Sequence, residues 1–122
     1  MPSREDSVRF DLPSGTRIID ANTLEHMKTT LLSFLDGPDF PAQFLELREP
    51  MRAELKASVG WIHGGEAGIG AWKLENRDGH LTLVHYPPPR RGTMYLYHAK
   101  MELQNTGWKV LSFEQERELG PD

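Results

Sequence analysis

The spacing of apolar residues loses its helical period near Gly60, and that change constrains what the chain can fold into. Leu24, Met27, Leu31, Phe34 and Leu35 recur at three- and four-residue intervals, the period of a helix that buries one face. A capping-type residue, Asn22 or Thr23, stands at the start of this run and Gly37-Pro38 follows it, which predicts a helix over 23–36. A second stripe, Phe44, Leu47, Met51, Leu55 and Val59, begins behind Pro41, a residue suited to a first helical turn. Pro50 interrupts it, because proline lacks an amide hydrogen and its ring clashes with the preceding turn. The expectation is a helix kinked at Pro50, or two shorter helices meeting at Glu49-Pro50.

Beyond Gly60 the helical period is gone. Ala71 to Asn76 and His80 to Tyr86 flank Arg77-Asp78-Gly79, and Asp-Gly between alternating runs is a strong hairpin signal. Pro87 to Gly92 connects to a run over 93–103, and Asn105-Thr106-Gly107 turns the chain into Trp108 to Glu114. Near the N-terminus, Val8, Phe10 and Leu12 alternate ahead of Pro13-Ser14-Gly15 and the β-rich Arg17-Ile18-Ile19, a short hairpin. Helices followed by consecutive strands define the α+β class. The expected architecture is an N-terminal β-hairpin and one or two helices packed on a four-stranded antiparallel meander. With no internal repeat or linker-like tract, residues 1–122 read as one domain.

Carrying the alternation through these turns sorts the sheet residues onto two faces. Trp72, Leu74, Leu81, Leu83, Tyr95, Tyr97, Ala99, Met101, Leu103, Leu111 and Phe113 share the face expected to lie under the helices, with His85 beside Trp72 and Tyr95. Lys73, Glu75, Thr82, Lys100, Glu102, Gln104 and Ser112 fall on the opposite face, mixed with Val84, Tyr86, Met94, Leu96, Trp108 and Val110. So apolar an outer face calls for a cover: the N-terminal hairpin, a curl of the sheet itself, or a bound molecule.

Little in the chain carries a chemical signature. The histidines, His26, His63, His80, His85 and His98, show no metal-ligand spacing, and no metal or other cofactor is expected. The absence of cysteine excludes thiol catalysis and thiolate metal sites. The glycine-rich stretch Gly64 to Gly70 lacks a Lys-Ser/Thr ending and leads into a strand, so it reads as a mobile loop or a bulge opening the sheet. Glu66, close to His63, reads as a solvated loop carboxylate. His85, placed among aromatic side chains, is the weak candidate for a general base. The rigid Pro87-Pro88-Pro89 stretch would hold Arg90 and Arg91 at a hairpin tip.

The formal net charge of -4, with 14 basic residues scattered among 18 acidic ones, argues against nucleic-acid binding. No apolar run is long enough to span a membrane. The polar start, Met1 to Asp6, has no secretory-type apolar core, and with no cysteine this points to the cytoplasm. Two functions remain. The preferred one is a non-catalytic protein-interaction module, an adaptor, inhibitor or immunity-type protein. It would capture a partner or self-associate through Val84, Tyr86, Arg90, Arg91, Met94 and Leu96. The alternative is a small-molecule-binding protein or cofactor-free enzyme, with a pocket between helices and sheet lined by Trp72, His85, Tyr95 and Tyr97.

Overall fold

The computed structural model describes residues 7–57, 61–63, 66–69, 71–86 and 92–119. Val59, Gly64, Gly65, Gly70 and the Pro87–Arg91 stretch with Arg90 and Arg91 lie outside this description, as do the side chains of His63 and Glu66.

Strands β1 (Ser7–Leu12) and β2 (Gly15–Asp20) form the expected N-terminal hairpin. Helix α1 (Ala21–Asp36) follows at once and begins two residues earlier than its apolar stripe suggests. The cap is Asp20, not Asn22 or Thr23: its backbone is extended and its carboxylate accepts the Thr23 amide hydrogen at 2.8 Å. An ionised side chain can thus satisfy one of the unpaired amides of the first turn. Gly37 ends the helix by donating its amide to the Phe34 carbonyl at 3.1 Å.

After a 3-10 turn at Ala42–Phe44, helix α2 spans Leu45–Ala57 as one element with Pro50 inside it. Proline at this point removes the bond to the Glu46 carbonyl, one turn back. Glu46 lies on the exposed side of the helix, where water can take that bond.

The four expected strands are β5 (Trp72–Arg77), β6 (His80–His85), β7 (Thr93–Gln104) and β8 (Gly107–Leu119), all antiparallel. Two short strands, β3 (Trp61–His63) and β4 (Glu66–Ile69), extend the sheet in the order β3-β4-β5-β6-β7-β8. The stretch read as a glycine loop is therefore partly strand. The β5–β6 turn has φ of 54° at Asp78 and 82° at Gly79, the pair of positive angles that a tight two-residue hairpin needs. Gly79 has a second constraint, since a Cβ there would meet Pro13 Cγ at 3.0 Å.

One irregularity rearranges the faces. In the β7–β8 ladder Lys100 pairs with Ser112 but Met101 pairs with Val110, leaving Leu111 as the extra residue of a bulge. Before the bulge, Trp108 and Val110 therefore lie on the helix side and pack against the core, correcting their placement on the outer face. Leu111 is 41% exposed instead of covered, while Phe113, past the bulge, is buried as expected.

The core unites α1 (Leu24, Met27, Leu31, Leu35), the second helical region (Phe44, Met51, Leu55), the hairpin (Val8, Ile19) and the inner sheet face (Trp72, Leu74, Leu81, Leu83, Tyr97, Ala99, Met101, Phe113). The hairpin thus extends the helix-side core. Among the described residues no helix is long and apolar enough to cross a membrane.

Leu31 is 0% exposed, so Leu31→Ala should lose about 2–5 kcal/mol in urea denaturation; a change within about 0.5 kcal/mol, the scale of surface substitutions, would contradict this packing. Asp20→Ala should lose about 1 kcal/mol through the lost cap. The Thr23 amide holds the Asp20 carboxyl below its ordinary pKa. The cap's contribution should therefore be present above the ordinary carboxylate value and fade as pH falls through the lowered one; equal acid sensitivity of wild type and Asp20→Ala would count against it.

Candidate functional site

Antiparallel pairing stacks side chains in rows across the sheet, and one row organises the site. Trp72 pairs with His85, His85 with Tyr97, and Tyr97 with Gln115, so the four share the helix-side face on four successive strands. Trp72 meets the His85 ring edge-on, with centroids 5.0 Å apart. Tyr97 packs edge-on against Phe44 at 5.4 Å and accepts a hydrogen bond from Gln115 Nε2 at 2.9 Å.

Over this row passes α2. Leu47, Pro50, Met51 and Glu54 follow one another at helical spacing on one face. The Glu54 carboxylate meets His85 Nε2 at 2.7 Å. A carboxylate can only accept, so Nε2 carries the hydrogen and the neutral ring keeps its lone pair on Nδ1. That atom, like the Trp72 indole nitrogen, is buried without a hydrogen-bond partner among the described residues.

Beside the pair, Leu47, Pro50, Met51, His85, Met94, Tyr95 and Tyr97 wall an open cleft of about 210 Å³. Three of the four expected ligand-binding residues line it, and the fourth, Trp72, packs behind His85. A larger recess, about 410 Å³, lies between the Pro13-Ser14 turn and the ends of β6 to β8. It brings no two titratable side chains into hydrogen-bond contact with each other.

Of the expected partner-binding set, Arg90 and Arg91 lie outside the described residues. Val84 is 0% and Leu96 2% exposed, Tyr86 is half-buried, and Met94 lines the cleft. Long polar side chains lie across the outer face. The Tyr86 hydroxyl donates to Glu75, so its ring spans the row that holds Lys73 and Val84, and Lys73 Nζ stands 5.6 Å from the ring centre. Arg77 reaches Glu75 at 3.1 Å and, across the Thr82 row, Glu116 at 2.8 Å. Glu116 also meets His98 Nε2 at 3.0 Å. Thr82 beneath is 1% exposed. Stems of long side chains exclude water from small neighbours in this way.

Sequence reasoning missed Glu54, Gln115 and this charged network. Glu54 carried no legible signal, since it flanks the apolar stripe of α2, whose member after Met51 is the buried Leu55. Among the described residues no group of three or more His, Asp or Glu side chains could hold a metal ion. No family model, curated protein or solved structure matches the chain.

Burial first, then donation to Glu75, opposed by the Arg77 guanidinium, raises the Tyr86 phenol above its ordinary pKa of 10.0. The contact should stabilise the fold below pH ~10 and lose its effect as pH climbs through the raised value. In an absorbance titration, the step that Tyr86→Phe removes should lie above the ordinary tyrosine value; removal of a step at or below that value would refute the assignment.

Proposed function

We propose that the protein binds a small, largely apolar molecule in the cleft between α2 and the β6–β7 pair, with His85, the partner of Glu54, in its wall. The observation that carries this reading is the open cleft of about 210 Å³, lined by two tyrosines, two methionines, Leu47, Pro50 and His85. A cavity of about 150 Å³ already admits a benzene ring, so a substituted ring fits. Apolar walls with few convergent polar groups are the usual composition of ligand sites.

Binding suits this geometry better than base catalysis. A general base must bring a free lone pair within reach of the proton it removes, yet His85 Nε2 is committed to Glu54 and Nδ1 is buried. A second reading, the protein-interaction module, draws support from Leu103 and Leu111, which are 42% and 41% exposed. A reducing compartment such as the cytoplasm suits a chain without cysteine.

Amide NMR during titration with aromatic fragments tests the proposal. Shifts should gather at Met51, Met94, Tyr95 and Tyr97, and Tyr95→Ala should weaken binding about three- to tenfold, the effect of losing roughly 1 kcal/mol. A silent cleft would refute the reading, and self-association abolished by Leu111→Glu would favour the interaction module in its place.

A further inference from the structure

Resting on the cleft being a ligand site, we infer that its ligand is a protonated aromatic amine, the ring held in the cleft and the ammonium group at Glu54. Three observations converge on this class.

The first is an uncommitted carboxylate. Glu54 gives one oxygen to His85, its only partner among the described residues, and its side chain is 42% exposed. It follows Pro50 and Met51, which line the cleft, by one helical turn, and it bonds His85, which lines the cleft too. A bound cation would find the second oxygen with its lone pairs unused.

The second is the charge of the surroundings. No Lys or Arg among the described residues lines the cleft. Arg117, the ladder partner of Tyr95, is exposed and does not line it, and Lys56 in the last turn of α2 is likewise exposed. Glu54 also lies in the final turn of α2, Leu45–Ala57, where unpaired carbonyls give the helix end a partial negative charge. Both sources attract an ammonium group and repel a carboxylate or phosphate.

The third is the wall itself. Tyr95 and Tyr97 bring aromatic rings to the lining, and Met51 and Met94 bring thioether side chains. Such walls accept an aromatic ring and a neighbouring cation together.

Calorimetry with three probes of one shape, phenethylamine, phenylethanol and phenylpropionate, separates charge from shape. Phenethylamine should bind about tenfold more tightly than phenylpropionate, with phenylethanol between them. The amine's advantage over the alcohol should shrink as salt is raised and disappear in Glu54→Gln. The salt series uses the unmodified protein, so it decides the matter even if that variant fails to fold. Equal binding of all three probes, or preference for the acid, would overturn the amine assignment and leave the cleft as a ligand site. Binding of none would overturn both.

Discussion

Glu54 on α2 and His85 on β6 form a side-chain hydrogen bond that joins a helix to the sheet. The apolar cluster across that seam fixes how much surface is buried but only loosely how one element slides on another. A hydrogen bond at 2.7 Å is directional, and a polar group buried without its partner costs about 1–3 kcal/mol. The pair therefore sets where α2 lies along the Trp72–His85–Tyr97–Gln115 row. The cleft follows from that position: Leu47, Pro50 and Met51 stand opposite Met94, Tyr95 and Tyr97 with His85 between them.

The sheet can present so different a face on each side because its two layers of side chains solve different problems. The helix side is a continuous apolar cluster that includes the N-terminal hairpin. The outer side hides Thr82, Val84 and Leu96 beneath a lattice of charged and phenolic groups, with Arg77 bridging Glu75 and Glu116. The bulge at Leu111 couples the two. It keeps Trp108 and Val110 on the apolar side near the β7–β8 turn, and past it the same strand still delivers Phe113 inward and Glu114 and Glu116 outward.

Much of this was legible in the sequence wherever one residue type answers one local demand. The stripe Leu24, Met27, Leu31 and Leu35 could only be a buried helix face, and Asp78-Gly79 could only be a tight turn. The row of Trp72, His85 and Tyr97 followed from that turn by alternation. What remained illegible depended on partners distant in sequence. A bulge is set by how two strands meet, so Leu111, Trp108 and Val110 could not be placed by counting. Trp61-Ile62-His63 and Glu66 to Ile69 are too short and too glycine-rich to alternate visibly. Val84 and Leu96 alternate like exposed anchors, yet both are buried. Glu54 is the instructive case, because it flanks the stripe as an ordinary solvated carboxylate would and its partner, His85, lay on another element.

The central claim is that Glu54 holds the His85 ring with its hydrogen on Nε2 and so fixes α2 over the row that walls the cleft. Long-range nitrogen–proton correlation NMR of the imidazole side chains reads this directly. The account predicts that neutral His85 is a single tautomer with hydrogen on Nε2 and a bare Nδ1, and that Glu54→Ala releases it to the mixture of a free imidazole. A neutral His85 that carries its hydrogen on Nδ1, or a ring unaffected by Glu54→Ala, would contradict it.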